Sequence, residues 1–142
     1  MFLGSVPPID QWATRAMTYI GIKVRLVEQV TILDPDSEGR ISLRFGARTV
    51  TLPKAVLSLL EEGQNQILLN LASVKTMHAD GFRELVSTLT RVKDFGGQMK
   101  VVELPPRLAE LMTDAKVLHL FDVYESESQG VASFRTRAIG TA

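Results

Sequence analysis

Few residues in this chain of 142 amino acids are equipped for covalent chemistry. With no cysteine, a thiolate nucleophile, a disulfide framework and a thiolate metal site are all excluded. The two histidines, His78 and His119, belong to no spacing that suggests a metal site or a catalytic triad, and His78-Ala79-Asp80 is not a ligand motif. No Walker-type glycine loop and no dinucleotide fingerprint follows a strand. Carboxylates are plentiful, but they fall on helix faces, where solvation accounts for them. The expectation is a protein without catalysis, cofactor or metal. What remains is the run Lys75-Thr76-Met77-His78-Ala79-Asp80-Gly81, set where a strand hands the chain to a helix. Free backbone amides and the positive end of a helix dipole make such a place receptive to negative charge or to a partner.

The elements on either side position that run. Ile67-Leu68-Leu69-Asn70-Leu71 is too short for an isolated helix and has no polar alternation, so it reads as a central strand covered on both faces. Beyond the run, Phe82, Leu85, Val86, Leu89 and Val92 recur at helical spacing. Arg83, Glu84, Ser87, Thr88, Thr90, Arg91, Lys93 and Asp94 take the other face, and Gly96-Gly97 closes the helix. Upstream, Ile22–Leu26 and Val30–Leu33 form a hairpin across Val27-Glu28-Gln29, and Arg40–Phe45 gives a third extended piece after the turn residues Pro35–Gly39. A first helix spans Leu52–Glu62, with Thr51 as cap, Pro53 in the first turn and Gly63 as stop. Downstream come a strand at Met99–Val102, a helix opened by Pro105-Pro106, an apolar segment at Leu118–Tyr124 and a last amphipathic turn at Glu127–Phe134. Strands and helices alternating over short loops predict right-handed crossovers. The fold class is α/β, a mixed sheet of about four to six strands with about four helices, parallel in its C-terminal part.

Length fits one domain. Sixteen Lys and Arg balance sixteen Asp and Glu, so no net field favours nucleic acid or an anionic membrane. No stretch reaches the roughly 20 apolar residues of a membrane span, and Pro7, Pro8 and Asp10 interrupt any signal-like start. The expected compartment is the cytoplasm. Residues 1–21 read as an extension holding a short helix with Ile9, Trp12, Ala13, Ala16, Met17 and Ile20 on one face, Asp10 as cap and Gly21 as stop. Residues 22–134 form the domain, and residues 135–142 a polar, flexible tail.

Several strings together resemble the STAS domain, the module named for sulfate transporters and anti-sigma factor antagonists. They are Ile67 to Val74, Gly81 followed by Glu84-Leu85-Val86, Gly96-Gly97, and Leu104-Pro105-Pro106-Arg107. The likeness is strongest to the bacterial single-domain anti-sigma factor antagonists and covers about residues 22–134. In that family the loop reads Asp-Ser-x-Gly. A serine/threonine-kinase-type anti-sigma factor phosphorylates the serine, and the unphosphorylated antagonist binds that kinase and frees the sigma factor. Here His78 takes the acidic position, Ala79 that of the phosphoacceptor, Asp80 the variable one, and only Gly81 is retained. The resemblance implies a docking loop of Thr76, Met77, His78, Ala79, Asp80 and Gly81, an ATPase-like anti-sigma factor as partner, and room for a homodimer. It also leaves open a scaffold or regulatory subunit of a signalling complex or transporter.

Alanine has no hydroxyl, so a phosphate ester at Ala79 is chemically impossible. Two opposite consequences stay open. Either Ala79 fixes the loop in its unmodified form and binding is constitutive, or the carboxylate of Asp80 stands in weakly for phosphate and holds the released state. Asp80 also reads as a simple helix cap. Met77 and Phe82 are expected in the core and His78 in solvent. Ser73, Thr76, Ser87 and Thr88 are the neighbouring hydroxyls, with Thr76 the best-placed substitute acceptor.

Overall fold

A computed structural model describes residues 17, 21–35, 42–45 and 48–140. Strands β1 (Ile22–Val27) and β2 (Val30–Pro35) form an antiparallel hairpin with Val27 opposite Val30. Its turn is therefore the two residues Glu28 and Gln29, one fewer than the sequence suggested. Both hold positive φ, 50° and 74°, the conformation that lets a two-residue turn follow the right-handed strand twist. Strands β3 (Ser42–Phe45) and β4 (Arg48–Thr51) pair antiparallel as a separate two-stranded sheet. The sequence reading found the first of these and missed the second: Arg48–Thr51 runs straight into a helix, and only Thr51 was given a role, as its cap.

Helix α1 (Leu52–Glu61) begins where Thr51 was expected to cap it, the hydroxyl accepting from the Lys54 N–H at 3.3 Å. It stops at Gly63, which takes φ +90°. Strand β5 (Gln66–Asn70) leads to helix α2 (Ala79–Asp94), and strand β6 (Gln98–Val102) to helix α3 (Pro106–Asp114). A single 3-10 turn at Leu118–Leu120 precedes strand β7 (Asp122–Tyr124), and helix α4 (Glu127–Gly140) closes the described chain. The last helix thus runs beyond Phe134 into the segment whose polar composition placed it outside the fold.

The main sheet has the order β1-β2-β5-β6-β7, with every pair after the first hairpin parallel. This is the mixed α/β architecture expected: from residue 21 on, the described residues form four α-helices and the five strands of the main sheet. Strand periodicity divides each strand between two cores. Ile67 and Leu69 of β5 join Leu33, Met99 and Val101 in the larger core under α1, α2 and α3, while Leu68 joins Ile32, Val102, Val131 and Phe134 beneath α4. All three β5 leucine and isoleucine side chains are fully buried. That is why this strand carries no polar alternation: both of its faces are covered.

The extension expected as a helix over residues 9–20 lies outside the described residues except for Met17, which is helical and wholly buried in the larger core.

Candidate functional site

The link from β5 to α2 is held down at intervals. Leu71 and Val74 are fully buried and Met77 nearly so, and the Val74 N–H returns to the Leu71 carbonyl at 3.0 Å. Between these anchors Ala72, Ser73, Lys75, Thr76 and His78 face solvent, as do Ala79 and Asp80. Gly81 and Phe82 turn back into the protein. Of the six loop residues singled out from the sequence, Thr76, His78, Ala79 and Asp80 are on the surface. Met77 and Gly81 support them from inside, Met77 as expected.

Ala79 is the first residue of α2 and His78 its N-cap, with extended backbone (φ −79°, ψ 163°) and no side-chain capping bond. Asp80 is therefore not the cap; it sits inside the first turn. Its carboxylate pairs with the Arg83 guanidinium one turn along the helix, both side chains more than three-quarters exposed. At that exposure the pair adds at most a few tenths of a kcal/mol. The carboxylate also suits the positive end of the helix dipole. Burial raises the pKa of the nearby Glu84 above the ordinary carboxylate range, the Asp80 charge adding to the effect and Arg83 opposing it.

Thr88 contradicts the sequence reading. Placed there on the polar face, it is fully buried, and its hydroxyl donates to the Glu84 carbonyl at 2.7 Å. It stands three residues after Leu85 and four before Val92, on the stripe those apolar residues define, and the return bond to the preceding turn satisfies its hydroxyl there. As a candidate for modification it is shut away, whereas Ser73, Thr76 and Ser87 are exposed.

Beside Ala79 the surface opens into a groove of about 490 Å³. Ala79, Phe82, Arg83 and Val86 of α2 form one wall, and Ala115, Val117 and Leu120, from the chain between α3 and β7, form the other. Leu120 is 39% exposed and offers an apolar side chain to the groove. The groove was not foreseen. Leu118–Tyr124 was read only as a short apolar segment, and nothing in its pattern says that it faces α2 across open space. Such a surface can hold apolar side chains of another molecule next to exposed helix-start amides. Among the described residues no group of three or more His, Asp or Glu side chains is placed to hold a metal ion, and no helix is long and apolar enough to cross a membrane.

A family model for the STAS domain matches residues 45–130, which include the whole link and both walls of the groove. No curated protein matches the chain. Among solved structures, a Thermotoga maritima protein provisionally described as an anti-sigma factor antagonist superposes with a TM-score of 0.68 at 19% identity, covering 85% of this chain and 98% of that one. An anti-sigma factor antagonist (STAS) domain protein from Planctomyces limnophilus gives 0.62 at 18% identity, over 79% and 96% of the two chains. A variant of RsbS from Moorella thermoacetica gives 0.58 at 12% identity, over 82% and 97%. At these identities the likeness is one of fold.

Proposed function

Since the chain belongs to the STAS domain family, we propose that it acts in the cytoplasm as an anti-sigma factor antagonist, a non-catalytic binding module for a kinase-type anti-sigma factor that works without the serine phosphorylation switch. The observation that carries this reading is the setting of Ala79. It is exposed at the first position of α2 and forms part of the wall of an apolar groove. A partner approaching the loop meets a methyl group where a modifiable hydroxyl would stand, and neither a kinase nor a phosphatase can alter it.

The position of Asp80 favours constitutive binding over permanent release. A carboxylate carries one negative charge against about −1.5 to −2 for a phosphate ester. This one is also drawn to Arg83 along the helix, so little uncompensated charge is left at Ala79. The fold relatives from Thermotoga and Planctomyces described as anti-sigma factor antagonists support the choice of partner class.

The test is binding of the full chain to an ATP-binding anti-sigma factor of the serine kinase type from the same cell, measured by calorimetry with and without ATP. The expected result is a complex whose affinity is unchanged by prolonged incubation with ATP and kinase, and a loss of at least tenfold in Ala79→Glu. Failure to bind any such kinase, or equal binding by Ala79→Glu, overturns the reading.

A further inference from the structure

At the point where β5 gives way to the link, Asn70 uses both ends of its amide. Its Oδ1 accepts the Ala72 N–H at 2.9 Å, closing the first turn of the link, and its Nδ2 donates to Glu127 Oε1 at 3.0 Å, with Glu103 Oε2 at 3.5 Å. Glu127 is the first residue of α4, on the opposite side of the sheet from α2. Its carboxylate is held in turn by Arg25 of β1, whose Nη2 and Nη1 donate at 2.6 and 3.1 Å, while the same guanidinium spans Asp34 of β2 at 2.7 and 3.1 Å. These groups are only partly exposed, the Arg25, Asp34 and Glu127 side chains at 35%, 25% and 28%. None of them touches the groove or Ala79.

We infer that Asn70 is a positioning residue that sets the conformation of the docking link, and that Glu127, clamped by Arg25, sets Asn70, so that the seating of α4 on one face of the sheet is coupled to the shape of the loop on the other. The geometry fits the role. An asparagine whose Nδ2 is fixed by a charged acceptor cannot rotate away, so its Oδ1 stays aimed at the Ala72 amide. A charge-assisted bond is roughly twice as strong as a neutral one, which suits it to hold a rotamer. The consequence for partner binding rests on the docking reading given above. The coupling does not, and amide exchange reads the link with no partner present.

The experiment is amide hydrogen exchange by NMR on the full chain, following Ala72 and Val74 in the link against Lys100 and Val101 in β6. Glu127→Ala is expected to speed exchange at Ala72 and Val74 by about tenfold, the scale of losing one hydrogen bond to a charged group, with β6 slowed or speeded no more than global stability requires. In an Asn70→Ala background Glu127→Ala is expected to add nothing at those two amides, because its effect passes through Asn70. Fraying of α4 alone would add the same factor in both backgrounds. Arg25→Met, which frees the Glu127 carboxylate while leaving every residue of α4 in place, is expected to act in the same direction by a smaller factor and serves if Glu127→Ala does not fold. Unchanged link amides, equal acceleration of link and β6, or an undiminished effect of Glu127→Ala in the Asn70→Ala protein each overturn the inference. Normal coupling with no kinase binding would instead remove the proposed partner and leave the coupling standing.

Discussion

Substituting Gly130 by alanine pits two known effects against each other at one carbon atom. In helix interiors alanine is favoured over glycine by about 1 kcal/mol, so an exposed site would gain. Gly130 is buried in the first turns of α4, and a β-carbon there would lie 2.5 Å from Val102 Cγ1 and 2.9 and 3.1 Å from the two methyl carbons of Leu68. The Leu68 methyls are the ends of a flexible side chain and can yield. Val102 Cγ1 cannot: valine is stiff at χ1, and Val102 is fully buried in the smaller core. Relief therefore has to come from moving α4 off the sheet, and overpacking of this kind costs about 1–3 kcal/mol. With the contact as short as it is, the upper part of that range applies. The net expectation is a destabilisation of about 2 kcal/mol, read as a lowered urea midpoint at unchanged slope. In a Val102→Ala background, where the obstructing methyl is gone, Gly130→Ala should lose most of its penalty. A Gly130→Ala protein as stable as the parent, or a penalty that persists undiminished without the Val102 methyls, would refute the view that close approach of α4 to the sheet requires this glycine.

Two carboxylates should show opposite pH signatures. The bond from Arg25, opposed by burial and aided by Asn70, holds the Glu127 pKa below 4.5. Its contribution is then present above pH 4.5 and lost as the pH falls through the lower folded value. The stability gap between parent and Glu127→Gln should hold steady from neutral pH to about 5 and close in more acid solution. Glu84 is shifted upward by burial, so its contribution is complete below pH 4.5 and lost as the pH rises through the folded value. Glu84→Gln should accordingly be the more stable protein at pH 7 and lose that advantage in acid; urea titrations at a series of pH values check both signs. On the groove, Leu120→Asp should reduce kinase binding by about tenfold while stability moves by only about 0.5 kcal/mol, the usual scale for a substitution at an exposed position. Equal binding by this variant would take the second wall of the groove out of the docking surface.

What the sequence disclosed and what it hid follow from how far apart the cooperating residues lie. Ile67–Asn70 announced a strand covered on both faces because its burial is written in consecutive residues, and Thr51, Pro53 and Gly63 announced helix α1 because caps are local. The loop from Thr76 to Gly81 could be placed at a helix start for the same reason. Strand β4 was lost because its pairing with β3 left no mark beyond a few alternating residues next to a stronger helical signal. Asn70 was read only as one member of the run Ile67–Leu71, with no role of its own. Its partner Glu127 lies 57 residues on, and Arg25 and Glu127 are 102 apart, distances at which no pattern of spacing speaks. Thr88 was misplaced for a different reason: it stands three residues after Leu85 and four before Val92, on the buried stripe of α2, and only its polar type suggested the outer face; Thr90, two residues on, makes the same return bond and is exposed.

The groove separates two properties that a phosphate would bring together at position 79, bulk and charge. Ala79 shares its wall with Phe82 and Val86, so a group added there enters an apolar surface beside the exposed helix start. Ala79→Val adds two methyl groups and no charge, at a position where helix propensity is only slightly reduced. If docking is apolar contact along the groove, this variant should bind the kinase within a few-fold of the parent. Ala79→Glu adds a charge that any apolar partner surface must desolvate, and burial of an unpaired charge is far more costly than a small misfit. Its binding should fall by at least tenfold, and part of the loss should return at acid pH as the carboxylate is protonated. Equal losses in the two variants would mean that shape alone governs the site, and that Asp80, one residue away, is electrostatically irrelevant to it. A loss in Ala79→Val with none in Ala79→Glu would reverse the argument altogether, since it would require a partner surface that welcomes negative charge at this spot.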